Sequence, residues 1–186
     1  MPEKFISEIL NKIELGNNSI SLTISVPFNF SFIPGQYVSI IKEVGDKKIR
    51  RPYSICSSPN KKDRIDLCIK IVENGLFTPF LNNLKVGDKL EVLGPIGNFK
   101  IENKNNNLIF VSSGTGVGPF RSMIQDLLEN NFKKSVALIT GYKEIPLYNE
   151  EFKELEKKHS NFRYKVALSN GGIQSIIMEP LTVEKT

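Results

Sequence analysis

The sequence predicts two domains: an antiparallel six-stranded Greek-key β-barrel with one short helix, followed by an α/β domain with a doubly wound parallel sheet. Three observations predict this fold. The first hundred residues alternate apolar and polar side chains in about six short runs, which turns separate. After Lys100, strand patterns alternate with helix patterns. The polar, asparagine-rich segment 101–107 joins the two patterns, so we place the domains at residues 1–102 and 103–186.

The barrel is predicted from alternation and from turn residues. In SISLTISV, for example, Ile20, Leu22 and Ile24 fall on one face. Closure of such strands into a barrel hides their edges. A short helix is expected within Thr78–Leu84, with Thr78 as its N-cap and Pro79 at the first helical position. The six predicted strands are Phe5–Leu15, Ser19–Val26, Gln36–Lys42, Lys48–Ile55, Arg64–Val72 and Lys89–Leu93.

The second domain is predicted from buried strands that alternate with helices, which is half of a doubly wound nucleotide-binding sheet. The sequence after Leu168 shows no further strand–helix rhythm. We therefore expect the domain to stop after its third strand, either because the sequence is part of a longer protein, which we favour, or because a partner completes the fold. The predicted strands are 108–113, 135–140 and 162–168, and the predicted helices are 121–130 and 147–159.

Composition excludes several classes of function. His159 is the only histidine, so a histidine-based catalytic triad and a histidine-rich metal site are excluded, and we expect no metal. Cys56 and Cys68 are the only cysteines and are interpreted as reduced thiols of a cytoplasmic protein. No apolar run approaches the ~20 residues that span a bilayer, and the N-terminus does not have the pattern of a signal peptide. We expect a cytoplasmic protein with no integral membrane segment.

The net charge of +5 favours phosphates or an acidic protein as partners. The lysines are scattered along the chain, and no basic stripe carries interleaved aromatic residues. Nucleic acid is therefore not expected as a partner.

The stretch SSGTGVGPF joins the first strand of the second domain to the next helix. Gly114, Gly116 and Gly118 would let the backbone approach a bound group, and the start of a helix favours an anion. The spacing differs from the dinucleotide fingerprint G-x-G-x-x-G. Alone, it fits a purely structural turn equally well.

The stretch RRPYS ends the fourth predicted strand. Arg51 offers a planar fork that matches a phosphate, and Pro52 removes a ladder donor, which is typical of a strand at an edge or rim. Tyr53 offers a flat face for an aromatic cofactor, and Ser54 a small hydroxyl. Alone, a basic rim strand with a half-buried tyrosine explains these residues better than a site does.

Together, five motifs in order resemble the ferredoxin–NADP(+) reductase family of flavoproteins. Any one of them is a weak signal, whereas the ordered set from Pro34 to Leu168 is specific. The motifs are RPYS at 51–54 with SSP at 57–59, LCIK at 67–70, GLFTPFLNNLKVGD at 75–88, GPIGNF at 94–99 and GTGVGPFRSMI at 114–124.

The resemblance implies a bound FAD and a nicotinamide co-substrate, NADP or NAD. Tyr53 would stack on the flavin ring and Ser54 would bond near its reactive nitrogen, so these two are the implied catalytic residues. Arg51, beside Pro52, would bind the flavin nucleotide's phosphate. The remaining implied cofactor contacts are Ile69, Lys70 and Ile71 along the flavin, with Lys70 also towards the nicotinamide cofactor's phosphates; Gly75, Leu76, Phe77 and Thr78 at the pyrophosphate; Gly114, Thr115 and Gly116 beside the nicotinamide; and Ser169 and Asn170 near its ribose.

The implied function is electron transfer from NAD(P)H through FAD to a small acidic carrier, a ferredoxin or flavodoxin. Three alternatives stay open: the reductase component of an oxygenase, the flavin subunit of a dihydroorotate dehydrogenase, and a non-catalytic flavin-binding module. FMN is an alternative to FAD, although the second phosphate-binding point at Gly75–Thr78 favours FAD. Ser169-Asn170 departs from the Ser-Arg of NADPH-selective members, which leaves the choice between NADH and NADPH open.

Overall fold

The computed structural model describes residues 2–169, and their first six strands form one antiparallel sheet in the order β4-β3-β6-β1-β2-β5. Neighbours that are distant in sequence, such as β3 and β6, give the Greek-key connection. A bridge between Ile55 and Leu67 links the end of β4 to β5 and closes the barrel. The predicted barrel is confirmed. Its strands are β1 Glu3–Gly16, β2 Ser19–Ser25, β3 Tyr37–Val44, β4 Lys47–Ser54, β5 Arg64–Lys70 and β6 Lys89–Ile96.

Strand β5 is buried on both of its faces, which sets it apart within the barrel. Ile65, Leu67 and Ile69 point into the barrel core, as period-two alternation dictates. Cys68, on the opposite face, belongs to the core cluster of the second unit. The barrel and the α/β unit therefore meet along β5.

The second unit is a three-stranded parallel sheet with helices, as predicted, in the order β7-β8-β9. Helix α2 packs Ile124, Leu127 and Leu128 into its core, and α3 contributes Phe152. The strands are β7 Leu108–Ser113, β8 Val136–Tyr142 and β9 Phe162–Leu168, and the helices are α2 Val117–Glu129 and α3 Asn149–Lys158.

Two helix starts differ from the sequence prediction. Helix α1 (Thr78–Asn83) is capped by Phe77, so Thr78 is its first helical residue and not its N-cap. Helix α2 begins at Val117, four residues earlier than predicted, and it includes Pro119. A proline is tolerated there because the first turn of a helix needs no backbone N–H donor.

Candidate functional site

The end of β4 brings two of the sequence motifs side by side. Arg51 lies opposite Ile40 and Tyr53 opposite Val38, and both partners are core residues, so Arg51 and Tyr53 share one face of the strand. The Tyr53 ring lies 6.5 Å from the ring of Phe77, with 32° between the ring planes. Phe77 is buried, so the Tyr53 ring packs on the barrel core beside the start of α1.

Tyr53 and Arg51 differ in exposure, which suits them to different tasks. Burial raises the pKa of Tyr53 to about 12, although the nearby charge of Arg51 acts in the opposite direction. The phenol is therefore neutral at physiological pH and presents a flat, uncharged ring. The Arg51 guanidinium is exposed, and its hydrogen bond goes to the carbonyl oxygen of its neighbour Arg50 at 2.8 Å. It remains available to an anion.

Pro52 and Ser54 fall on the opposite face of the same strand. Ser54 is half-buried and pairs with Tyr37, and Pro52 pairs with Ser39. β4 stands at the end of the strand order, where a missing N–H donor costs no ladder bond.

The loop that leads into α1 is closed by its own hydrogen bonds. The Thr78 hydroxyl accepts from Val72 N at 2.9 Å and lies 3.2 Å from Val72 O, and Gly75 N donates to Val72 O at 2.8 Å. A Cβ at Gly75 would lie 2.9 Å from Val72 O, so the turn requires glycine. Since Gly75 N–H is already bonded and Pro79 has no N–H, the donors that the helix start leaves without intrahelical partners are those of Phe77, Thr78 and Phe80. Leu76 is exposed.

The three residues expected along the flavin on β5 point in two directions. Ile69 and Ile71 are buried in the barrel core, so their side chains do not face a flavin. Lys70, on the opposite face, is exposed, and its Nζ donates to Asn17 O. This side chain faces a cavity at the edge of the second unit.

That cavity lies at the carboxyl ends of the three parallel strands, where ligands of open α/β sheets bind. It has a volume of about 740 Å³. Lys70 and Asn17 from the barrel contribute to its wall. The second unit contributes Ser113, Gly114, Gly141, Tyr142, Lys143, Glu144, Ala167, Leu168 and Ser169. Ser169 thus lies at the cavity, whereas Asn170 lies outside the described residues.

The glycine turn has an open side and a packed side. Gly114 to Gly116 form a single 3₁₀ turn with Thr115 between them, and this turn packs against β5. Gly114 has a φ of +52°, and an added Cβ at either glycine would meet nothing within 4 Å. Gly118 differs, since its Cβ would lie 3.1 Å from Cys56 Sγ. The expectation that Gly118 faces a ligand is wrong, because this glycine permits close packing on the barrel.

The residues that join the two units were missed by the sequence reasoning. Arg121 and Ser122 of α2 are buried and bond to the backbone directly after the RPYS strand. Arg121 also bonds to the carboxylates of Asp66 on β5 and Glu151 on α3. A buried arginine within an amphipathic helix was the available signal, because a charge on the buried face needs a partner.

The remaining reactive side chains offer no second centre in the part of the chain that the structure describes. Cys56 and Cys68 are free and buried, and burial raises the pKa of Cys68 to about 11. Across residues 2–169 no cluster of metal-ligating side chains occurs. Within the same range no helix is long and apolar enough to cross a membrane.

Comparison with known proteins assigns both units. Residues 7–101 match the family "Oxidoreductase FAD-binding domain", and residues 110–174 match "Oxidoreductase NAD-binding domain". Among curated proteins, the reductase component of phenol 2-monooxygenase from a Pseudomonas species is 35% identical over 161 residues, which cover 84% of this chain and 45% of that protein. Ferredoxin–NADP reductase B of Sorangium cellulosum is 32% identical over 146 residues, covering 77% and 60%.

Solved structures agree with these matches. Ferredoxin–NADP+ reductase from Plasmodium falciparum, solved with 2'P-AMP, superimposes with a TM-score of 0.79 at 27% identity, over 89% of this chain and 74% of that one. The chain spans about half of the length of the curated relatives it matches.

Proposed function

The chain belongs to the ferredoxin–NADP(+) reductase-like family of flavoproteins, with FAD-binding and NAD-binding oxidoreductase domains, and from that premise we propose that it passes electrons from NADH or NADPH through bound FAD to a small protein carrier. One observation carries the proposal. The end of β4, which carries the exposed Arg51 and the half-buried Tyr53, bridges to β5 through Ile55 and Leu67, and the open glycine turn at Gly114–Gly116 packs against β5 as well.

The residues present fit a flavin and a nicotinamide dinucleotide. An exposed guanidinium, a neutral phenol ring and the N–H groups of a helix start suit phosphate, an aromatic ring system and pyrophosphate respectively. At the cavity beside the ends of the parallel strands, Lys70 and Lys143 together outnumber the single carboxylate among the described residues of its wall, Glu144, and Gly114 leaves room for a close approach to the backbone.

Bound FAD supplies the chemistry of hydride acceptance and of passing electrons on. The chain's own residues bind and orient. Arg51 would hold a phosphate, Tyr53 would support the ring system by stacking, and the Ser54 hydroxyl would donate near the reactive nitrogen. Phe77 and Thr78 would hold the pyrophosphate with backbone N–H groups.

The nicotinamide nucleotide would be held from both units. Lys70 neutralises its phosphates from the barrel, while Thr115 and Gly116 bound the nicotinamide from the turn. Ser169 lies at the same cavity and is placed to reach the ribose. We retain the division into residues 1–102 and 103–186, with the flavin on the first domain and the nucleotide on the second.

The partner we propose is a small acidic ferredoxin or flavodoxin. The net charge of +5 supports it, because a positive field speeds the encounter with an acidic protein. The named relatives also include the reductase component of an oxygenase, which supports an oxygenase component as the second candidate partner. We propose a cytoplasmic location on the two free, buried thiols.

Anaerobic titration of the purified chain tests the proposal. The chain is loaded with FAD or with FMN, and NADH or NADPH is then added. We expect tighter uptake of FAD, since FMN lacks the second phosphate, and bleaching of the visible flavin band by at least one of the two nucleotides. A chain that binds FAD and stays oxidised with both nucleotides would be the non-catalytic binding module.

A further inference from the structure

Arg121 uses every face of its guanidinium although its side chain is buried. Its Nε donates to both carboxylate oxygens of Glu151, at 2.9 and 3.0 Å, and NH2 donates to Glu151 Oε2 at 2.8 Å. NH1 donates to Cys56 O at 3.0 Å and to Asp66 Oδ2 at 3.3 Å. The ring of Tyr148 lies 4.5 Å from the guanidinium carbon. All three nitrogens of the guanidinium group donate to a protein acceptor.

These contacts join the two units at one point. Cys56 follows the RPYS strand end by two residues, and Asp66 lies on β5, so both belong to the barrel. Arg121 itself lies on α2, five residues after the glycine turn, and Glu151 lies on α3. A single side chain on α2 therefore bonds to the segment that follows Tyr53 and Ser54, to β5 and to α3.

Two neighbours of Arg121 make parallel contacts. Ser122 Oγ donates to Ser57 O at 2.7 Å, with both residues buried. One turn earlier, Gly118 packs on Cys56 Sγ. Consecutive residues of α2 thus bond to consecutive carbonyls of the barrel, which fixes the helix in both position and rotation.

A buried ion pair at this position is better explained by a requirement for one fixed arrangement of the two units than by a gain in stability. Well-packed apolar side chains are often as stabilising as a buried ion pair, or more so. Burial works against the charged form of Arg121, yet the Glu151 carboxylate outweighs it and raises the arginine's pKa. The planar fork has one geometry that serves Cys56 and Glu151 at once, and a lysine could not reproduce it.

We propose that Arg121 is a positioning residue that holds the glycine turn at a fixed distance and angle from the end of β4, which carries Tyr53 and Ser54. It thereby sets the rate of hydride transfer between the two cofactors. This inference rests on the proposed function. In the step concerned, a hydride carries two electrons and a proton from the nicotinamide, which is oxidised, to the flavin, which is reduced. A misplacement of about 1 Å can slow such a step by about 100-fold.

The test compares Arg121→Met and Arg121→Lys with a matched control, Lys104→Met. Lys104 also forms an ion pair with α2, through Asp126 at 3.2 Å, but it is exposed. Hydride transfer is measured by stopped flow on the full chain loaded with FAD, at saturating NADH, or NADPH if NADH is inactive. We expect a fall of about 10- to 100-fold for Arg121→Met, a smaller fall for Arg121→Lys, nucleotide KM values that change much less, and no change for the control.

A second readout does not depend on the chemistry. Spin labels at Lys47→Cys on the barrel and Lys158→Cys on α3 report the distance between the units, since the two native thiols are buried. We expect a narrow distance distribution in the parent and in Lys104→Met, and a broad or shifted one in Arg121→Met.

The outcomes separate the inference from the proposed function. A folded Arg121→Met with an unchanged distribution and an unchanged transfer rate would overturn the inference and leave Arg121 a merely structural residue. If the parent binds FAD but is never reduced, the proposed function fails, and the distance distribution alone decides the inference. If Arg121→Met does not fold, Arg121→Lys and Ser122→Ala replace it in both measurements, with the same expected directions.

Discussion

Replacement of Arg51 by alanine should weaken FAD binding without weakening the fold. The guanidinium is exposed, and in the part of the chain that the structure describes it is paired with no carboxylate. Surface substitutions of this kind change the free energy of unfolding by less than about 0.5 kcal/mol. The effect on FAD is larger, because the variant loses charged hydrogen bonds to a phosphate.

The expected size follows from the bond that is lost. A hydrogen bond to a charged group contributes about 1.5–3 kcal/mol, and each 1.4 kcal/mol is tenfold in affinity. The dissociation constant for FAD should therefore rise by about 10- to 140-fold. Because Arg51 is exposed, salt screens the pair, and the lower end of this range applies at physiological ionic strength.

The adjacent residue provides the control. Arg50 carries the same charge and is also exposed, but strand alternation turns it away from Arg51 and Tyr53, and on its own face it lies four residues, about 13 Å, before Ser54. Isothermal titration of FAD into both variants should show a large loss for Arg51→Ala and less than about a twofold change for Arg50→Ala. Equal losses of affinity in the two variants would mean that only net charge matters. An unchanged affinity in Arg51→Ala would place the phosphate elsewhere. Either result would contradict the assignment of Arg51 to the FAD phosphate.

Further predictions concern the glycine turn, the buried contacts between the two units and the pH dependence of stability. Gly116→Ala should change the free energy of unfolding by less than about 0.5 kcal/mol and raise the nucleotide KM. Gly118→Val should lower the free energy of unfolding by about 1–3 kcal/mol, because the larger side chain overpacks Cys56. Urea denaturation and nucleotide kinetics on both variants distinguish the two effects. Arg121→Met should cost about 3 kcal/mol in the same denaturation, because Glu151 loses its arginine partner and Asp66 loses one of its two cationic partners. The free energy of unfolding should fall as pH rises from about 9 to about 11, because the pKa of the Cys68 thiol is about 9 in the unfolded chain and about 11 in the folded one. In Cys68→Ala, the melting temperature should fall less steeply with pH over this range.

Much of the fold was accessible from local patterns. β2 and β9 were predicted closely because strict alternation and a compact apolar run mark their limits. The start of α2 was missed because Pro119 was taken to precede the helix, whereas a proline fits inside the first turn. The cap of α1 was missed because the Thr78 hydroxyl bonds back to Val72 and leaves the helix start uncapped by a side chain.

The candidate site was predictable where a motif lies at the end of one strand. It was not predictable where tertiary packing decides which way a side chain points. Strand alternation alone puts Arg51 and Tyr53 on one face. It does not say which face of β5 meets the second unit, so the inward orientation of Ile69 and the packing role of Gly118 became visible only in three dimensions. Arg121 was hidden for the same reason, because its partners are remote in sequence.

We propose that the barrel and the glycine turn present a flavin and a nicotinamide to each other across β5. The decisive experiment is anaerobic stopped-flow mixing of the FAD-loaded chain with NADH or NADPH. We expect the flavin band to bleach at a rate that saturates with the nucleotide's concentration and that falls in Arg121→Met. Tight FAD binding with no reduction by either nucleotide would contradict it.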